Sequence, residues 1–248
     1  MRRFATVCLF VILLLGAQAQ TESHHRFGAQ IESGFLFPSL VSSNGNVELF
    51  RPRKLGAQAG VRFEFWNKSN RFIFARARVG SVGGDDMLET LSGTLNGSDE
   101  EVILERNEGE INLSISQYLL GYGIQLKDGK YKQVLLGSAG ITSVDPFGDL
   151  FWKSKLFNSN YQKIHRLREF SRTNGWTVDL EYAVQQTVYW TRYGNWEVMA
   201  AVGANVQQYS IKARYETLDI LGEREEIILN NDGILATFRI EVGGRLRF

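Results

Sequence analysis

The sequence is poor in cysteine, proline and histidine. Its only cysteine among 248 residues is Cys8, so a disulfide framework is excluded and an exported chain of this size must be held together in another way. No apolar run of 18 residues occurs after residue 20, which argues against a membrane-spanning helix there. Basic and acidic residues nearly balance, at 28 and 27. This argues against nucleic acid as a partner, because nucleic-acid-binding domains are strongly basic.

The first twenty residues, MRRFATVCLFVILLLGAQAQ, have the layout of a secretory signal peptide. A basic start is followed by an apolar run and by the small-x-small triplet Ala17-Gln18-Ala19, which is typical of a cleavage site. The apolar run is shorter than the ~20 residues that a spanning helix needs. We therefore expect a signal peptide over residues 1–19 and one domain over residues 20–248.

The remaining chain alternates apolar and polar residues with a period of two, which predicts strands. Eight strands are predicted, over residues 26–37, 56–66, 71–82, 110–127, 131–144, 176–190, 196–209 and 236–248. Short connections such as NKSN, DGK and RYGN carry turn residues and alternate with long ones, so the tight turns fall at one end. In the fourth strand the apolar phase changes, which predicts a bulge near Ser116. A further hairpin within the long loops would raise the count to ten.

The polar face of these strands carries charges of both signs. A soluble barrel that binds an apolar ligand has the same period with its apolar face inside, whereas a membrane barrel has its apolar face outside and its polar face in the lumen. Lipid-facing positions could not carry these charges, but a closed lumen could pair them. We expect the following residues to form a charge network in the lumen: Glu32, Arg62, Glu64, Arg76, Arg78, Asp179, Glu181, Glu197, Arg239, Glu241 and Arg245.

Aromatic residues collect at the tight-turn ends of the predicted strands, as in the interfacial girdle of a membrane barrel. The predicted membrane-interface residues are Phe65, Trp66, Tyr131, Trp190, Tyr193, Trp196 and Phe248. The last strand, ending RIEVGGRLRF, must pair with the first, because a spanning sheet tolerates no free edge in lipid.

A signal peptide, eight amphipathic strands and a terminal phenylalanine resemble the small bacterial outer-membrane β-barrels. The sequence is similar to the OmpA transmembrane domain and to the porin-family, PorT-like barrels of Bacteroidetes. The resemblance implies an all-β, eight-stranded antiparallel up-and-down transmembrane barrel in a Gram-negative outer membrane, with short periplasmic turns and long extracellular loops. It also implies contact with outer-membrane lipid and lipopolysaccharide, recognition of the last strand by the barrel-assembly machinery and, for PorT-like proteins, a part in protein secretion.

Signals for chemistry are few. The sequence has no GxSxG or HExxH motif, and the His-x-Ser pair of lipid A deacylases is absent. His165 stands among Ile164, Leu167 and Phe170, whose spacing predicts a short amphipathic helix with a surface histidine. We expect no catalytic residues, no metal and no cofactor.

The long loops remain as functional candidates. Residues 83–109 are acidic and residues 145–175 are basic, so the two loops could pack together. Phe151, Trp152 and Phe157 lie among lysines and are predicted to rest on the outer leaflet. Because side chains just fill an eight-stranded barrel, we expect a plugged lumen. The predicted role is structural or loop-mediated recognition, including a protein partner or service as an accessory to an envelope or secretion machine. A lipid-modifying enzyme and a soluble periplasmic carrier remain as alternatives.

Overall fold

A computed structural model describes residues 27–67, 70–97, 99–103, 110–157, 162–191, 194–219 and 221–248. These residues form eleven strands and one helix: β1 Phe27–Gly45, β2 Gly56–Trp66, β3 Arg71–Asp86, α1 Leu88–Leu95, β4 Glu100–Ile103, β5 Glu110–Lys127, β6 Lys132–Phe147, β7 Leu150–Leu156, β8 Gln162–Ser171, β9 Thr173–Thr191, β10 Gly194–Asp219 and β11 Arg224–Arg247. No helix within these ranges is long and apolar enough to cross a membrane. The predicted signal peptide lies outside them.

Eight of these strands pair antiparallel in a closed circuit. The order is β1, β2, β3, β5, β6, β9, β10 and β11, and β11 pairs with β1 again. At the closing seam Phe27 and Phe248 exchange two backbone hydrogen bonds of 2.9 Å. The circuit therefore has no free edge along its paired length, which is what a sheet in a solvent without hydrogen-bonding groups requires.

The long connections hold strands beyond the eight that the sequence predicts. β10 pairs with β9 as far as Gln207 and with β8 from Lys212 onward, and β8, β7 and β4 then follow in the sheet. We call β4, β7, β8 and the outer parts of β10 and β11 the projecting sheet. β7 and β8 form a further hairpin within a long loop, which the sequence left open, and β4 adds a third strand beyond the eight of the circuit. The extra strands satisfy backbone groups that long irregular loops would leave unpaired.

We call the closed circuit of eight strands the ring. Its apolar face points outward. Leu120 is 72% exposed and Leu180 is 58% exposed, whereas Arg239 and Glu241 are each 1% exposed. An outward band of large apolar side chains runs around the ring and includes Ile31, Phe35, Val61, Phe63, Ile73, Val79, Tyr118, Leu120, Ile141, Val178, Leu180, Val198, Val202, Phe238, Ile240 and Val242.

The interior changes from polar to apolar toward the end that carries the projecting sheet. The bulge predicted near Ser116 is absent, because the register of β5 with β3 and β6 runs through this position without a shift. Ile111, Leu113 and Ile115 face inward like Gln117. The change of apolar phase in the sequence therefore marks the point where the interior of the ring becomes apolar. These side chains join an outer core of buried apolar residues, including Leu49, Phe50, Leu91, Trp152, Leu167, Tyr209, Ile211 and Leu229.

Candidate functional site

Charged side chains fill the middle of the ring. The structure buries all eleven residues that we expected in the lumen, each at 3% exposure or less. They come from six strands of the circuit. Alternation within each strand turns them inward, since successive side chains of a strand point to opposite faces.

Glu181 lies at the centre of this network. Its carboxylate accepts hydrogen bonds from Arg62 at 3.1 Å, Arg76 at 3.0 Å, Arg78 at 3.0 Å and Arg239 at 2.9 Å. Four guanidinium groups around one carboxylate would repel one another without further acids. Those acids are supplied by neighbouring strands, and the contacts are charge-assisted hydrogen bonds, which are stronger than neutral ones.

A second layer of charges lies nearer the tight turns. Arg245 is 2.7 Å from Glu197 and 3.5 Å from Glu64, and Lys132 is 2.5 Å from Glu197. Lys132 was missed because the faces of its strand could not be assigned from the sequence. With Lys132 included, the two layers pair six buried cations (Arg62, Arg76, Arg78, Arg239, Arg245 and Lys132) with six buried anions (Glu32, Glu64, Asp179, Glu181, Glu197 and Glu241). Such balance offsets the cost of removing charges from water.

Neutral amides lie between the charges and the outer core. Gln117 donates to Gln207 at 2.7 Å and to Asn205 at 3.3 Å, and Asn205 donates to Thr177 at 2.6 Å. A cavity of about 10 Å³ lies beside these amides, which is room for about one water molecule. Ionic, amide and apolar layers thus succeed one another along the interior.

The predicted interface aromatics divide between two environments. Phe65, Tyr131 and Trp196 are about half exposed on the outer surface, and Phe248 is half-buried. Tyr193 and the side chain of Trp190 lie outside the described residues.

The prediction that Trp66 lies at the membrane interface is wrong, because its side chain faces inward and is 2% exposed. Its ring stacks on Phe72 at 4.2 Å, its indole N–H donates to Glu64 at 2.8 Å, and the Arg247 guanidinium lies 4.0 Å from the ring centre. The reason is local, since Phe65 points outward and the next residue of a strand must point the other way.

His165 and Trp152 also differ from the prediction. His165 lies on strand β8 rather than on a helix and is 1% exposed, and Trp152 on β7 is fully buried rather than on a lipid surface. The two rings stack at 5.0 Å, and the Trp152 indole donates to Asn96 at 2.9 Å. The apolar repeat around His165 imitates a helix, but pairing of β8 with β7 and β10 decides its conformation. Phe157 is exposed and Phe151 is half-buried.

A chain of polar contacts runs through the projecting sheet and includes a serine and a histidine. Ser154 donates to Glu100 at 2.6 Å, its Oγ lies 2.6 Å from His165 Nε2, and His165 Nδ1 lies 2.7 Å from the Tyr215 hydroxyl. Burial lowers the pKa of His165 to about 4, so the ring is neutral. Because the serine proton goes to Glu100, Nε2 must donate to Ser154 and Nδ1 must accept from Tyr215.

This direction of hydrogen bonding leaves Ser154 without a histidine base, because its proton points to Glu100. A serine nucleophile needs a histidine nitrogen that accepts its proton, and Ser154 is fully buried. Throughout the ranges that the structure describes, no group of three His, Cys, Asp or Glu side chains could hold a metal ion. The contacts of this cluster join β4, β7, β8 and β10.

The acidic and basic segments meet in the projecting sheet. Lys163 donates to Glu100 at 2.9 Å and Lys155 lies 3.6 Å from Glu101. Partial burial would raise the pKa of Glu100, but hydrogen bonds from Ser154 and Lys163 outweigh it and lower that pKa. The opposite charges of the two segments therefore help to bring β4 to β7.

No family model and no curated protein matches this sequence. Among solved structures, it is similar to a major outer membrane protein of Thermus thermophilus, with 10% identity, a TM-score of 0.48 and coverage of 90% of this chain and 100% of that one. It is also similar to OprG of Pseudomonas aeruginosa, with 12% identity, a TM-score of 0.43 and coverage of 91% and 97%. For Ail of Yersinia pestis the identity is 7%, the TM-score is 0.38 and the coverage is 90% and 99%. Such low values give no evidence of a shared activity.

Proposed function

We propose that the protein is a bacterial outer-membrane barrel of eight transmembrane strands. Its tight turns lie in the periplasm and its projecting sheet lies outside the cell. Outer-membrane lipid and lipopolysaccharide surround it, and the barrel-assembly machinery inserts it. Its role is structural or recognitional, carried by the projecting sheet, either alone or as an accessory of an envelope or secretion machine.

The apolar band carries this proposal. Large apolar side chains such as Leu120 and Ile31 are more than 70% exposed around a closed ring, and soluble proteins rarely expose so large a contiguous apolar surface. Such a band is suited to contact with the hydrocarbon of a lipid bilayer. A soluble carrier of an apolar ligand would need the opposite arrangement, with Val178 and Leu180 inside and Arg239 outside.

A closed lumen follows from the layers of the interior. Side chains just fill a ring of eight strands, and here the charged layer is followed by the amides and by the outer core. An ion would have to separate paired charges and then cross apolar side chains. The protein therefore acts through its surface rather than as a channel.

Two measurements test this function. The exported protein should sediment with the outer membrane and migrate faster on a detergent gel before boiling than after it, because a folded barrel resists the detergent. In planar bilayers the reconstituted protein should give no conductance steps. Recovery from the soluble periplasm contradicts the location, and regular open-channel steps contradict the closed lumen.

A further inference from the structure

Within the described residues the projecting sheet ends at β4 on one side and at the outer part of β11 on the other, and the open edge of β11 is the longer. β1 follows β11 only as far as the pair Gly45 and Asn231, after which Leu49 and Phe50 turn into the outer core. Beyond this point residues 224–230 of β11 pair with β10 alone among the residues that the structure describes. The open stretch is about 20 Å long at the rise of an antiparallel strand.

The register shows which backbone groups this edge offers. Phe248 exchanges both backbone hydrogen bonds with Phe27, so the even-numbered residues of β11 point their N–H and C=O groups toward β1. β11 pairs with β10 without a register shift along its whole length, so this parity holds to its outer end. Arg224, Glu226 and Ile228 therefore present N–H and C=O groups that no described strand pairs, while residues 225, 227 and 229 bond to β10.

A second copy in the same membrane does not fit this edge. Both copies have the same orientation across the membrane, so their β11 strands would run in the same direction. A two-fold axis between the edges would then place carbonyl opposite carbonyl and N–H opposite N–H. Symmetric dimers are the commonest oligomers, but this symmetry forbids the hydrogen bonds.

The side chains around the edge are apolar and acidic. Ile228 is 63% exposed and Ile227 is 51% exposed. The exposed acids Glu223, Glu225 and Asp232 stand near them, whereas Arg224 is held by Glu216 and Glu226 at 2.8 and 2.7 Å. The chemistry that complements this surface is an extended segment with apolar and basic residues.

We propose that residues 224–230 of β11 dock an extended segment of another protein by strand addition, with the segment antiparallel to β11, apolar opposite Ile227 and Ile228 and basic opposite Glu223 and Glu225. In such binding the main-chain hydrogen bonds give affinity and alternate side chains give specificity. The inference rests on the proposed function, because it needs the projecting sheet to lie outside the cell.

A matched pair of substitutions at one position isolates the backbone. Ile228→Pro removes an N–H that points to the open edge and leaves the bonds to β10 in place. Ile228→Ala keeps the N–H and removes the side chain. The full chain in lipid nanodiscs is titrated with a fluorescent seven-residue peptide of three valines followed by four lysines, and with a counterpart that has glutamates in place of the lysines. Amide hydrogen exchange then locates the bound peptide.

We expect the valine–lysine block peptide to bind, to protect the amides of residues 226 and 228, and to bind about tenfold more weakly to Ile228→Pro, the equivalent of one net hydrogen bond. Ile228→Ala should lose less affinity, and the peptide with glutamates in place of the lysines should not bind. If Ile228→Pro does not fold, Glu226→Pro removes the other central donor.

Equal losses in the proline and alanine variants, protection elsewhere, or self-association through this edge would overturn the inference. Gel mobility of the unboiled sample separates the two proposals. If the barrel is intact but binds no peptide, only the docking proposal is wrong. If the protein is soluble, the proposed membrane barrel is wrong as well.

Discussion

The carboxylate of Glu181 on β9 lies 2.9 Å from the guanidinium of Arg239 on β11, although β10 runs between the two strands. Gly203 of β10 is in register with both residues and has no side chain to separate them. A Cβ atom at Gly203 would lie 2.6 Å from Cζ of Arg239, closer than non-bonded atoms approach. The glycine thus opens the path along which the central ion pair forms.

Gly203→Ala should displace Arg239 and weaken the central network. We expect a loss of about 1–3 kcal/mol, the usual cost of overpacking a filled interior. Urea unfolding in detergent, followed by gel mobility, measures it. Gly244→Ala is the matched control, because nothing lies within 4 Å of the added Cβ there. Equal stability of the two variants would show that Arg239 gives way freely.

Neutralising Glu181 should have a larger effect than neutralising an exposed acid. Glu181→Gln keeps the shape of the side chain but leaves four buried guanidinium groups short of one negative charge. Breaking a buried ion pair from one side costs about 3–5 kcal/mol, and the same unfolding assay reports it. Glu223→Gln, on the exposed connection between β10 and β11, should change stability by less than about 0.5 kcal/mol. If Glu181→Gln lowers the free energy of unfolding no more than Glu223→Gln does, the charge network does not stabilise the fold.

An arginine in the apolar band should hinder insertion. Leu180→Arg places a charge where the proposal puts hydrocarbon, at a cost of about 2–4 kcal/mol near the bilayer midplane. The folded fraction after dilution into lipid vesicles measures this cost. Gln208→Arg changes an exposed position of β10 beyond the outward residue Val206 and should insert normally. Normal insertion of both variants would contradict the position of the membrane.

Acid should loosen the projecting sheet before the ring. Burial lowers the pKa of His165 from 6.5 to about 4, so the unfolded state binds the proton first as pH falls. The contribution of His165 to the stability of the sheet should therefore decrease from pH 6.5 to about pH 4, by about 3 kcal/mol at most. Glu100, whose pKa is lowered from 4.5, should add a further loss at lower pH. Hydrogen exchange of β7 and β8 measures it. His165→Gln should flatten this dependence, and an unchanged slope would assign it to other groups.

Local alternation explains how much of the ring could be predicted. The inward charges and the outward apolar residues could be predicted, because side-chain direction in a strand depends only on whether the residue number is odd or even. Trp66 was misjudged although the same rule applied to it, because aromatic character was given more weight than its position next to Phe65. Lys132 was missed because its strand alternates weakly.

The residues of the outer core change the apolar phase of their strands, and in β5 this change was wrongly interpreted as a bulge. Ile111, Leu113 and Ile115 break the apolar phase of β5, and Tyr209 and Ile211 break that of β10. A bulge and a change of surroundings produce the same pattern in a sequence, and only the unshifted register distinguishes them.

The sequence by itself determined a two-faced antiparallel sheet with charges on one side, because strand periodicity is a property of neighbouring residues. The tertiary structure alone decided that β8 is a strand, that Trp152 stacks on His165 and Tyr215, and that β1 leaves β11 at Asn231. These features depend on pairing between residues far apart in the chain. Such pairing competes with local preference and, as at His165, overrides it.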